Sequence, residues 1–175
     1  MNLQILNCQE SVTAESFVTF WSKFYVEKQE SKERYGVIRK KELTSSDIVE
    51  LFTWKNGMRL AGPKLKSVQT NISPKCDIIN QLRINFKLTE FEKNFGKVST
   101  IWKIFLLHII LPETYPIFDQ HVYRACHYLK TTAIEELSMH EDEKMAIYES
   151  EYRPFFDDIA TQSLCTRKNI WSAPL

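Results

Sequence analysis

Residues 99–111, STIWKIFLLHIIL, are apolar on nearly every side of the helix they predict. Such a helix has no solvent face and has to be covered all round. This requirement puts it near the centre of the fold, with the rest of the chain packed around it. Pro112 ends it, since proline cannot continue the hydrogen-bond ladder. A short loop follows, and Asp119 opens a further helix that runs to about Lys130. An acid at a helix start is a favoured cap contributing about 1 kcal/mol. The same placement aims one carboxylate from a rigid mount, and both readings stand at this point.

The rest of the chain also reads as helical. Thr13 caps a first helix from Ala14 to about Glu27, with Phe17, Phe20, Trp21, Phe24 and Tyr25 in one stripe. A polar, charged stretch reads as a frayed helix end and a loop. A helix then starts near Thr44 to Ser46 and ends at Gly57, with Asp47 and Glu50 in its first turns. Residues 58–73 read as a loop. Ser73-Pro74 starts another helix, a short one covers residues 89–95, and Gly96 closes it. Helices are predicted over residues 132–137 and 141–152, with a break or restart at Pro154 and with Phe155, Phe156 and Ile159 turned inward. Residues 3–6 or Val37 and Ile38 are the places where a short strand fits. The expected fold is mainly α, a two-lobed helical domain over residues 1–175 with lobes 1–98 and 99–175 and few or no strands.

Composition bounds the function. Cys8, Cys76, Cys126 and Cys165 are scattered and form no CxxC pair, which argues against a zinc ribbon or a thioredoxin motif. His108, His121, His127 and His140 make no metal-ligand spacing, so no metal or cofactor is expected. Glycine-rich phosphate loops and a GxSxG elbow are absent. The first ten residues lack a basic-then-apolar leader, and no run approaches the ~20 apolar residues of a membrane span. The expectation is a soluble, cytoplasmic protein with no membrane partner.

The formal charge of +1 hides an asymmetry. Residues 34–97 hold 13 Lys or Arg against 6 Asp or Glu, while residues 133–158 hold 2 against 9. A basic half can hold nucleic acid, and an acidic half can face a protein partner. Mutual neutralisation of the two halves is the plainer alternative.

The segment Phe118, Asp119, Gln120, His121, Val122, Tyr123, Arg124 resembles the V-D-x-H-V-x-R stretch of the helix-hairpin-helix DNA glycosylase superfamily. The apolar helix and the Pro-containing loop before it extend the resemblance over residues 97–129. It lacks the four-cysteine cluster of some members and departs from the family pattern at two further places. The L-P-G-x-G hairpin is replaced by EKNFGKVST, with Gly96 alone, and the lyase lysine position holds Ile101. Lys97 and Lys103 are out of register. The resemblance therefore implies a DNA-binding protein, either a monofunctional base-excision glycosylase or a relative that has lost the reaction, rather than a Schiff-base lyase.

In such an enzyme Asp119 is the catalytic carboxylate, stabilising positive charge on the sugar as the N-glycosidic bond breaks. Lys55, Arg59, Lys64, Lys66 and Arg124 would contact phosphates. Tyr115, Trp54 and Trp21 are the aromatic walls for a flipped base, unless they are ordinary core. His121 would hold the loop that carries Asp119, and His108 reads as a satisfied core histidine. The alternative is a non-enzymatic helical interaction module whose acidic C-terminal half is the partner-binding face.

Overall fold

The computed structural model describes residues 13–22 and 29–163, with the backbone alone for Trp21 and Ser22. These residues are mainly helical, and no strand occurs among them. They divide into two units: residues 13–22 with 154–163, and residues 29–153. The expected boundary between residues 98 and 99 falls inside the larger unit.

In the smaller unit, α1 (Ala14–Ser22) starts as predicted at Thr13, whose Oγ1 accepts the Ser16 N–H at 3.2 Å. Phe17 is half-buried and Phe20 is exposed. The rest of the predicted stripe, the Trp21 side chain with Phe24 and Tyr25, lies outside the described residues. The unit's other segment belongs to α10 (Arg153–Gln162), which restarts at Pro154 and buries Phe156 and Ala160. Phe155 and Ile159 are half-buried.

The larger unit opens with α2 (Gln29–Gly36), in a stretch read from sequence as frayed and looped. It buries nothing, and pairs four residues apart support it: Gln29 with Glu33, and Arg34 with Glu30. Val37 and Ile38 begin a single 3₁₀ turn rather than a strand, with Ile38 buried as an anchor. Then α3 (Ser45–Asn56) begins and ends where the sequence predicts. Thr44 and Asp47 form a reciprocal capping box, and Gly57 closes the helix at φ 71°, a conformation cheap only for glycine.

Residues 58–73 are not simply loop. Pro63 sits in the first turn of α4 (Gly62–Ser67), and a π turn over Val68–Ile72 continues it. Val68 and Ile72 are fully buried and Leu65 half-buried, so three apolar anchors were hidden in a polar stretch. A 3₁₀ turn at Ser73–Lys75 leads into α5 (Cys76–Ile84). Asn80 on α5 accepts the Leu43 N–H at 2.9 Å and donates to the Leu43 carbonyl at 2.8 Å. One side chain thus satisfies both backbone groups of the residue leading into α3.

After α6 (Leu88–Phe95) and a short turn at Gly96 comes the apolar helix, α7 (Thr100–Ile110). All residues 104–110 are buried, as the absence of a polar face requires. Phe52 and Trp54 of α3 pack against Phe105 of α7, and Phe52 also meets Trp102. Next are α8 (Gln120–Thr131), α9 (Glu141–Ile147) and a π turn at Tyr148–Tyr152. Phe118 packs on Tyr123, Tyr148 and Tyr152.

The helix predicted over residues 132–137 does not form. Thr132 takes a left-handed φ of 60°, ends α8 with its N–H on the Tyr128 carbonyl, and turns the chain away. Thr131 Oγ1 then accepts the Ala133 N–H, a local bond that competes with helix propagation. No helix among the described residues is long and apolar enough to cross a membrane.

Candidate functional site

Two helix ends meet at the site. The last turn of α3 carries Lys55, and the residue before α8 is Asp119. Asp119 is extended, with φ −164° and ψ −177°, as a helix cap should be. Its Oδ1 accepts the N–H groups of His121 at 2.9 Å and Val122 at 3.0 Å. Its Oδ2 accepts from Lys55 Nζ at 2.5 Å. The Lys55 side chain is 7% exposed and that of Asp119 is 32% exposed.

Burial by itself pushes the Asp119 carboxyl up. The Lys55 charge and hydrogen bond and the two amides outweigh that, and the net position is below the ordinary carboxylate value. Burial likewise pulls the Lys55 ammonium below its ordinary value, against the opposing pull of Asp119. At neutral pH the pair is an ion pair with both carboxylate oxygens engaged.

A second polar chain lies beside it. His108 of α7 contacts the Tyr115 carbonyl through Nδ1 and the Tyr35 hydroxyl through Nε2, each at 2.7 Å. A carbonyl only accepts, so Nδ1 carries the hydrogen and Nε2 accepts from Tyr35. Burial, opposed by the bond to Tyr115 and reinforced by the Lys55 charge, pulls the ring down to about 4. The imidazole is neutral, and it fixes the loop between α7 and Asp119 to α2. The sequence identified His108 as a satisfied core histidine; its partners, 73 and 7 residues away, were not legible there.

The structure brings only some of the predicted residues together. Lys55 joins Asp119 but is buried and committed to it, so its ammonium is not a surface contact. Arg59, Lys64 and Lys66 are exposed, and Lys64 donates to Asn56 Oδ1 at 2.7 Å. Arg124 grips both oxygens of Glu136, at 2.5 and 2.6 Å. Trp54 is half-buried, packs on the rings of Tyr35 and Phe105 and donates its Nε1–H to Ser31, so the fold itself engages its ring. Tyr115 lies under the Arg153 guanidinium, 5.0 Å from the ring centre, and beside Phe86. The side chain of Trp21 is outside the described residues. His121 holds Asp119 through its backbone N–H, while its ring belongs to an exposed residue. Among the described residues no group of three or more His, Cys, Asp or Glu is arranged to hold a metal ion.

The opposite end of α8 carries a feature absent from the sequence reading. Tyr128, Leu129, Ile134 and Met139 are exposed, at 50, 44, 75 and 85%. They lie in the same part of the chain as Glu135, Glu136, Asp142 and Glu143, all exposed as well. Comparison with known proteins finds no matching family model, no matching curated protein and no matching solved structure.

Proposed function

We propose that this chain is a non-enzymatic helical interaction module that engages a protein partner through the acidic face of its C-terminal half. The observation that carries this reading is the set of exposed apolar side chains, Tyr128, Leu129, Ile134 and Met139, interspersed with acids. Large apolar groups held in water beside a majority of acids suit a partner that is both apolar and basic. The state of Asp119 agrees with a structural role, because both its oxygens are occupied by the fold's own donors.

The test is titration of the full chain with basic amphipathic peptides at low and high salt. Wild type is compared with a variant carrying Ile134→Ser, Met139→Ser and Asp142→Asn. Binding by the wild type that weakens with salt and is lost in the variant is the expected result. Equal binding by the two proteins, or no binding of such peptides, would refute the reading.

A second reading is favoured by a specific observation. An ionised, one-third exposed carboxylate follows an apolar helix and a short loop, the arrangement on which the glycosylase resemblance rests. In this reading Asp119 acts on a base flipped from DNA, and Arg59, Lys64 and Lys66 supply the phosphate contacts. An abasic-site assay over varied modified bases tests it. Product from wild type and none from Asp119→Asn supports catalysis; no product and no salt-sensitive DNA binding leaves the interaction module.

A further inference from the structure

Residues 133–139 follow the left-handed Thr132 and precede α9. From 133 to 138 the chain makes no helix, no hydrogen-bonded turn and no bend, and none of these residues has a positive φ. It therefore runs extended. Among the described residues, no backbone N–H from Ile134 to Met139 has an acceptor, and no carbonyl in that span has a donor. A row of unpaired backbone groups on an extended segment is a template for another strand.

The segment is also held in place. Glu136 is gripped by Arg124 and by Gln120 Nε2, the latter at 2.7 Å. Glu135 meets His127 Nε2 at 3.1 Å, and Leu137 is buried. These contacts fix the strand along α8 before anything binds, which reduces the ordering cost of association. Glu135 and Glu136 stay 58% and 68% exposed despite their partners.

We infer that residues 133–138 are a docking strand that pairs, backbone to backbone, with an extended Lys/Arg-rich segment of a partner protein. Charge names the occupant. Between residues 133 and 153 there are seven Asp or Glu against two Lys or Arg, so a basic strand is favoured and an acidic one repelled. Exposed Ile134 and Met139 offer apolar contact near the two ends of the strand. A second copy of this chain would bring the same acids face to face along the pairing line. This inference rests on the interaction-module reading and adds the mode of binding and the partner's backbone shape.

The probe is a peptide of about ten residues alternating lysine with valine, long enough to cover the segment. Hydrogen exchange on the full chain is measured with and without it. The expected result is slowed exchange confined to alternate amides within residues 134–138, those on the paired edge. A peptide N-methylated at every second residue, which blocks one pairing edge, is expected to bind at least about tenfold more weakly. Ile134→Ser, an exposed change that leaves the core untouched, is expected to weaken binding without altering exchange elsewhere. Binding that is sensitive to Ile134→Ser yet leaves these amides unprotected overturns strand pairing while the acidic face stands. Absence of peptide binding overturns the inference and the face together. Protection that appears without peptide and rises with protein concentration assigns the strand to a second copy and overturns the basic partner.

Discussion

The ammonium of Lys55 lies 2.5 Å from Oδ2 of Asp119, although the two residues are 64 positions apart. The contact joins the C-terminal turn of α3 to the first turn of α8. Lys55 is the more deeply buried partner, so its charge depends on Asp119 more than the reverse. Paired charges taken out of water gain little net stability, yet removing one of them leaves the other stranded. The geometry thus makes Asp119 a joint between two helices as well as a cap.

Asp119→Asn keeps a good capping side chain but takes away the counter-charge of Lys55. The expected loss is about 2–4 kcal/mol. Lys55→Met strands a carboxylate that is one-third exposed and is expected to cost less, about 1–2 kcal/mol. The double variant should cost less than the two singles together, with a coupling of about 1–3 kcal/mol. Urea denaturation of all four proteins measures this, and simple additivity would show that the pair is not a joint.

His108 sets an acid dependence. Its ring is neutral in the fold down to about pH 4, whereas in the unfolded chain it protonates near 6.5. Between those values the unfolded state binds more protons, so stability falls as pH falls, by up to about 3 kcal/mol at pH 4. Asp47 and Asp119 are both held below 3.8, so their contributions are present above that value and are lost at still lower pH. Thermal melting of wild type across pH 4 to 7 should show the decline, and His108→Gln should flatten it. An unchanged slope in the variant would assign the effect to other groups.

The ends of α3 test whether local chemistry sets its limits. Thr44→Ala removes half of the capping box and is expected to cost about 1 kcal/mol. Gly57→Ala places a Cβ at φ 71° in open space, so only the backbone conformation opposes it. The expected cost is again about 1 kcal/mol, and denaturant midpoints with unchanged slopes would confirm both.

Asn80→Leu leaves the Leu43 N–H and carbonyl without the side chain that pairs them. About 2–3 kcal/mol of destabilisation is expected. Hydrogen exchange should quicken at Leu43 first, and an unchanged rate there would mean that the backbone finds another partner.

Local chemistry made much of the helix pattern legible. Thr13, Thr44 and Gly57 act as caps, and the burial of residues 104–110 follows from a helix with no polar side. Local signals mislead where they compete. Leu65, Val68 and Ile72 have helical spacing but are diluted by lysines, so α4 and its π turn carry a weak helical signal. Residues 133–138 have helix-forming composition, but the left-handed turn at Thr132 stops the helix from propagating.

The sequence by itself determined that Asp119 would open a helix behind a buried one, because capping and amphipathicity act over a few neighbouring residues. Only the tertiary structure decided what Asp119 meets. Its partner Lys55 comes from a helix 64 positions earlier, and no local rule encodes that distance. The same holds for Tyr35 and His108, and for the segment of residues 133–138, held beside α8 by Arg124 and His127. Long-range pairing is fixed by how the apolar faces stack, and stacking belongs to the whole chain rather than to any stretch of it.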